Sequence, residues 1–138
     1  MPKTSGLGSA VIVDDAAGTP RTISNDITNY SFSTPRGVQE TTGLDKSATE
    51  RLLLLADYTN TLNGVFNNTV NFSHDVFKTV PSTSVQRTTV VQVLTGGGVP
   101  SLTCEVLYSD YQITRAASGE LTWQVPGSLS DGTVPTWA

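Results

Sequence analysis

Apolar and polar residues alternate with a period of two along much of this chain, which predicts β-strands. The clearest case starts at Leu102, where apolar side chains at 102, 104, 106 and 108 alternate with polar ones. After Tyr108 the phase moves by one residue, so that Tyr111 and Ile113 become the apolar pair. A one-residue shift of this kind predicts a β-bulge inside one long strand from Leu102 to Arg115.

Other segments have the same strand character. β-Branched content and alternation predict strands at Ala10–Val13, Ile27–Ser33, Val85–Leu94 and Leu121–Val125. The turn formers between Asp14 and Thr19, followed by Pro20, make the first of these a hairpin. Pro35–Leu44 is predicted to be a loop, and the glycines at 96, 97 and 98 form the tip of another hairpin.

The stretch from Asp45 to Phe66 has two interpretations. Ser47 and Glu50 ahead of four leucines have the spacing of a capping box, which would open a helix. Beyond them the period becomes two, and threonine and asparagine are poor helix formers. We therefore favour a short turn at Asp45–Ala48 and one long strand through Phe66, with the helix over Asp45–Ala56 as the alternative.

A single short helix is predicted at Phe72–Val80. Ser73 is placed to cap it, Asp75 and Lys78 complement the two ends of the helix dipole, and Pro81 stops it. The elements together predict a mainly β fold: an antiparallel β-sandwich or barrel with one short flanking α-helix, in a single domain of residues 1–138. Residues 1–8 are expected to form a flexible arm and residues 126–138 an irregular tail, whose Trp137 either folds back on the core or docks on another copy.

Charge is sparse in this chain. Charged residues make up 14% of it, the net charge is −4, and the eight Lys and Arg residues are scattered. Tight binding of DNA or RNA needs clustered basic groups and is therefore disfavoured. No apolar run approaches the roughly 18 residues of a membrane span and no signal pattern is present, so we expect no membrane partner and assembly in a cytoplasm.

Candidate chemistry is weak throughout, and the sequence predicts no catalytic residue, no metal site and no cofactor. Ser73, His74 and Asp75 are consecutive and cannot form a catalytic relay. The single histidine and Cys104 lack the paired spacing of a zinc site, and Cys104 is expected to be a buried thiol. Asp57, Glu105 and Asp110 leave a glycosidase-like carboxylate pair as a remote alternative.

The order of several segments resembles the major tail tube protein family of long-tailed bacteriophages. Residues 41–48, TTGLDKSA, followed by 55–66, LADYTNTLNGVF, are similar to the family's central strand. Residues 72–77, FSHDVF, resemble its single helix, and 121–127, LTWQVPG, resemble its last strand. The resemblance covers about Ala10 to Thr136 and consists of pattern and order without a sharp signature.

The resemblance implies a structural subunit of a virion tail and not an enzyme. Such subunits form six-membered rings that stack into a tube, with strands of all copies joined into an inner barrel and with arms and loops bridging successive rings. The partners implied are other copies of the chain, tail proteins such as the tape measure and the tail terminator, and DNA in non-specific transit. The alternatives are another virion protein (tail terminator, neck or capsid decoration) and, further off, a carbohydrate-binding module.

Site residues follow from the resemblance as candidates only. The lumen-lining candidates are Asp57, Thr59, Thr61, Asn63, Glu105 and Asp110. The inter-subunit candidates come from segments without a core pattern and are Pro2, Lys3, Arg36, Val38, Leu44 and Trp137.

Overall fold

The alternating segments form one large antiparallel sheet and a separate two-stranded ribbon in the computed structural model, which describes residues 5–94 and 98–138. The large sheet contains β1 (Ala10–Asp14), β2 (Pro20–Thr22), β3 (Ile27–Ser33), β6 (Thr59–Val65), β7 (Arg87–Gln92), β8 (Ser101–Tyr108), β9 (Gln112–Arg115) and β10 (Leu121–Leu129). Its strand order is β2-β1-β7-β8-β10-β6-β3, with β9 beside β10. The ribbon is β4 (Arg36–Glu40) with β5 (Arg51–Ala56), and the helix α1 is Ser73–Phe77. The predicted mainly β, antiparallel class with one short helix is confirmed.

The sheet wraps around its own apolar face. Val13 on β1, Leu62 on β6 and Val106 on β8 are fully buried in one cluster. The two ends of the sheet meet across this core, because Tyr30 Oη on β3 donates to Ser9 Oγ ahead of β1 at 3.1 Å. The result is a sandwich with β2-β1-β7-β8 as one half and β9-β10-β6-β3 as the other.

The predicted bulge between β8 and β9 is present. β10 pairs with both strands, and between the pairs Tyr108–Gly127 and Gln112–Gln124 the β8–β9 side advances four residues while β10 advances three. One extra residue on the β8–β9 side is the definition of a bulge. It bends the chain so that β8 belongs to one half of the sandwich and β9 to the other.

The irregular tail predicted from Pro126 begins later than expected, since β10 continues to Leu129. Proline is tolerated inside a sheet where its missing N–H faces a bulge. The Pro126 carbonyl accepts from Ser109 N at 3.2 Å, so the backbone polar side of Pro126 faces the bulged segment. The strand continues past Pro126 because the bulge on the neighbouring segment accommodates a residue that lacks an N–H.

Two predictions between residues 35 and 66 need correction. The predicted loop Pro35–Leu44 contains strand β4, and the predicted long strand is divided at Asp57 and Tyr58 into β5 and β6. The helix alternative over Asp45–Ala56 is also wrong, because β5 occupies its second half. Every residue of β4 is exposed, so burial imposes no alternation that a sequence pattern would reveal.

Helix α1 is shorter than predicted and is held by a different residue. Ser73 does not cap it; its backbone N–H instead donates to the carboxylate of Asp26 at 3.0 Å, and Asn67 Nδ2 donates to the same carboxylate at 2.8 Å. Asp26 is buried, and it supplies the acceptor that a capping side chain would supply. The helix is thereby fixed to the turn ahead of β3.

A buried arginine anchors the other end of the helix. Arg87 Nη1 donates to the carbonyls of Val76 at 2.7 Å and Asp14 at 3.1 Å, and Nη2 donates to Thr79 Oγ1 at 2.8 Å. Burial lowers the pKa of this guanidinium. Phe77 then packs on Tyr108, Tyr111 and Trp123, so that α1 closes one end of the core.

Gly64 makes the most sensitive close approach in the sheet. A Cβ there would collide with the Asp26 carbonyl oxygen and come within 2.6 Å of the Trp123 ring. We expect Gly64→Ala to lower the free energy of unfolding by about 3 kcal/mol, because neither the backbone nor the buried indole is free to move. Urea unfolding measures the change. Gly6→Ala, whose Cβ would meet only Ser9 Oγ at 3.7 Å, is the control and should change stability by less than about 0.5 kcal/mol.

Candidate assembly surfaces

The half-sandwich β9-β10-β6-β3 ends in two unpaired strand edges. Within the described residues, β9 pairs only with β10 and β3 pairs only with β6. An unpaired edge is a template for a strand of another chain, and natural proteins usually cover or charge it. Here both edges are left open, and we call them the β9 edge and the β3 edge.

The hydrogen-bond pattern identifies which residues face outward on each edge. Ala116 N donates to the Glu120 carbonyl at 2.8 Å, and alternation along the antiparallel ladder then turns Thr114 toward β10 and turns Ile113 and Arg115 away. On the other side, Phe66 N donates to the Leu121 carbonyl at 3.0 Å. The same alternation, carried across β10 and β6, leaves Tyr30 and Phe32 with outward-facing backbone groups on β3.

The side chains of these edge residues are only partly covered. Tyr30 and Phe32 point toward the core yet remain half-buried, and Ile113 is 44% exposed. Such apolar side chains at an edge become buried when a further strand is added. Both edges therefore present free backbone groups and incompletely buried apolar groups together.

The outer surface of this half-sandwich carries hydroxyl and amide groups. We call it the polar face, and it consists of Asn29, Ser31 and Ser33 on β3, Thr59, Thr61, Asn63 and Val65 on β6, Gln112 and Thr114 on β9, and Thr122, Gln124, Pro126 and Ser128 on β10. Its side chains bond to one another across strands: Asn63 Nδ2 donates to Asn29 Oδ1 at 2.7 Å, and the hydroxyls of Ser33 and Thr59 lie 3.2 Å apart.

The structure brings three of the predicted lumen residues together on one face and places the other three outside the strands of that face. Thr59, Thr61 and Asn63 share the polar face. Asp57 lies in the link ahead of β6, where its carboxylate accepts from the N–H of Tyr58 at 2.7 Å. Glu105 lies on β8 and accepts from Thr88 Oγ1, and Asp110 is exposed in the bulged segment. The assignment of all six to a lumen stays a prediction.

The ribbon is an apolar element, and among the described strands and helices its two strands contact mainly each other. Its leucines at 52, 53, 54 and 55 are 56%, 53%, 41% and 90% exposed, and Val38 opposite Leu53 is 54% exposed. Successive residues of a strand point to opposite faces, so both faces of the ribbon are apolar. A two-stranded ribbon has little stability by itself, and apolar exposure on this scale marks a binding surface.

The predicted inter-subunit residues fall into three groups. Arg36, Val38 and Leu44 lie in the ribbon and its tip, and the Leu44 side chain is fully exposed. Trp137 folds back, pairing with Leu102 by an isolated bridge and packing on Phe32 at 5.8 Å, yet it stays 52% exposed. Pro2 and Lys3 lie outside the described residues, as do the predicted turn glycines at 96 and 97.

The side chains that could act in catalysis or bind a metal are hydrogen-bonded or buried within the fold. His74 Nδ1 lies 3.1 Å from Tyr111 Oη, and Asp15 accepts from the N–H groups of Ala17 and Thr19. Burial raises the pKa of the Cys104 thiol. Among the described residues no three His, Cys, Asp or Glu side chains are grouped to hold a metal ion, and no helix has the length and apolar character for a membrane crossing.

The sequence matches no family model and no curated protein. Solved structures do match. One chain of a structure described as the tail of an empty GTA particle, with C6 symmetry, superposes with a TM-score of 0.71 over 99% of this chain and 99% of that chain, at 13% identity. The fold is that of a tail-particle chain.

A second match comes from the virion of a native gene transfer agent (GTA) particle. It has a TM-score of 0.65, covers 93% of this chain and 95% of that chain, and is 12% identical. Both matches therefore extend over nearly the full length of the two chains compared. The phage tail-like resemblance seen in the sequence is confirmed at the level of the fold.

The sequence pattern identifies neither the two open edges nor the two-stranded ribbon. Tyr30, Phe32, Ile113 and Arg115 are ordinary strand residues in sequence, and their edge position depends on topology. The ribbon did carry a signal. Four consecutive leucines cannot all be buried by a strand with one covered face, so part of the run had to be exposed.

Proposed function

We propose that this chain is a non-enzymatic structural subunit that forms six-membered rings, and that the rings stack into the tube of a phage-like tail through which DNA passes. The observation that carries the proposal is the pair of open edges on one four-stranded half-sandwich. Support also comes from two chains that share the fold, one in a GTA tail with C6 symmetry and one in a GTA virion.

Strand directions make ring closure through these edges possible. Along β9-β10-β6-β3 each strand is antiparallel to its neighbour, so β3 and β9 run in opposite directions. When copies are related only by rotation about a ring axis, the β9 edge of one copy meets the β3 edge of the next antiparallel to it. An even number of strands thus keeps the closed sheet entirely antiparallel.

The positions of the β9 and β3 edges along the strand direction also suit a closed barrel. β9 lies beside Leu121–Gln124 of β10, whereas β3 lies level with Trp123–Ser128, so the two edges are offset along the strand direction. Joining two edges that are offset along the strand direction staggers the strands of the closed sheet. A closed barrel requires such a stagger because its strands tilt relative to the barrel axis. The polar face would then line the lumen.

The ribbon is the element that we assign to contacts between rings. It extends from the sandwich at Pro35 and Asp57, where Asp57 N donates to the Pro35 carbonyl at 2.9 Å. Two apolar faces need two covering surfaces, which stacked copies provide. We also assign residues 1–8 and the half-exposed Trp137 to contacts between copies. In this proposal the subunit assembles in the host cytoplasm and is located in the virion, and its further partners are the tape measure and the tail terminator.

Imaging of the purified chain tests the function. We expect gel filtration and negative-stain electron microscopy at rising protein concentration to show six-membered rings and then tubes. The same experiment contradicts the proposal if the chain remains a monomer at high concentration and is retained on a polysaccharide column.

A further inference from the structure

The polar face differs in charge from the rest of this chain. The chain has a net charge of −4, yet every residue of the polar face is uncharged. Its amides and hydroxyls bond to one another across strands, as Asn63 does with Asn29. The acidic groups of the chain are therefore distributed on other surfaces.

The carboxylates nearest to this face lie at its margins. Asp57 precedes β6 and accepts from the N–H of Tyr58, and Asp110 lies in the bulge. Glu120 is exposed directly ahead of β10, in phase with Thr122, and its carboxylate accepts from Ser118 Oγ at 3.3 Å. Glu105 on β8 accepts from Thr88 Oγ1. Charges on the opposite half of the sandwich are separated from the face by the core, about 10 Å for packed sheets. Water and ions surround those charges on the far side of the sandwich and reduce their effect at the polar face.

We infer that the polar face is an electrically neutral wall for duplex DNA, which it contacts by hydrogen bonds and water without attracting or repelling it by charge. This inference rests on the proposed tube. A basic wall would retain DNA through counterion release, and an acidic wall would repel a polyanion that carries one charge per roughly 1.7 Å. Hydroxyls and amides exchange hydrogen bonds with water at little cost, so a neutral wall lets DNA slide.

Charged thiol reagents measure the potential at this wall. Thr61→Cys places a reactive thiol in the middle of the polar face, and wild-type tubes control for the buried Cys104. The rates of modification by a cationic and by an anionic methanethiosulfonate are measured for the free subunit and for assembled tubes. A neutral wall predicts that the cation-to-anion rate ratio changes by less than about threefold on assembly, whereas a wall at a few kT changes it by more than about tenfold.

A calibrating variant makes the outcome decisive. Adding Gln124→Glu to Thr61→Cys places a carboxylate in every copy of the same face and should raise the ratio in tubes. A change of more than about tenfold in this ratio on assembly, without that carboxylate, overturns the neutral wall and leaves the tube intact. If a thiol reagent too large to enter the lumen modifies the Thr61→Cys variant at the same rate in tubes as in the free subunit, the polar face is external. That result also overturns the inference. Absence of rings and tubes from the wild-type chain overturns the proposed function itself.

Discussion

Ile113→Pro is expected to abolish ring formation while leaving the subunit folded. Ile113 lies on the β9 edge with its N–H facing away from β10, so the substitution removes no hydrogen bond inside the subunit. In a ring, the proline removes a donor from the strand pair and places its ring against the neighbouring β3 edge. We expect a loss of about 2 kcal/mol at each contact between copies, and closure needs every contact of the ring.

Analytical ultracentrifugation measures this effect, with urea unfolding as the test of folding. Arg115→Pro, at the other outward-facing residue of β9, should have the same effect, and Ile113→Val, which keeps the N–H, should assemble as the wild type does. Rings formed by a folded Ile113→Pro subunit at the wild-type concentration would show that the β9 edge is not the contact.

The second large effect is expected from the ribbon. Replacing Leu53 and Leu55 together with lysine puts two charges on one face of an element that has no core of its own. If stacked copies cover that face, each substitution removes the roughly 1.5–3 kcal/mol by which a buried leucine side chain stabilises the contact. The loss occurs in every copy of the ring. We expect rings to form and tubes to be lost.

Electron microscopy separates rings from tubes in this variant. Val70→Lys is the matched control, because Val70 is 70% exposed and lies outside the ribbon. Long tubes formed by the double lysine variant would exclude the ribbon from ring stacking, and loss of rings as well as tubes would place it within the ring contact instead.

Local pattern predicted those elements whose burial is one-sided. The alternation at Leu102–Tyr108 and Leu121–Val125 matches strands with one face in the core, and the phase change before Tyr111 revealed the bulge. Local pattern carries no strand signal where burial does not alternate. β4 is exposed on both faces, and the break at Asp57 reflects where the ribbon leaves the sandwich, a property of tertiary structure that no local period encodes.

The candidate surfaces were predictable only in part, for a related reason. Thr59, Thr61 and Asn63 share a face because side chains alternate along a strand, and sequence is sufficient for that. The β3 and β9 edges depend on which strands pair, and pairings between strands distant in sequence, such as β10 with β6, were not deduced. The sequence pattern gives no role to Asp26 or Arg87, yet both are buried and hold α1.

Electron cryomicroscopy of assembled tubes shows which surfaces join neighbouring copies. We predict that β9 of each copy lies antiparallel to β3 of the next at the strand spacing of about 4.8 Å, closing a continuous sheet with the polar face inward. A tube whose copies meet through other surfaces, with these two edges unpaired, would contradict it.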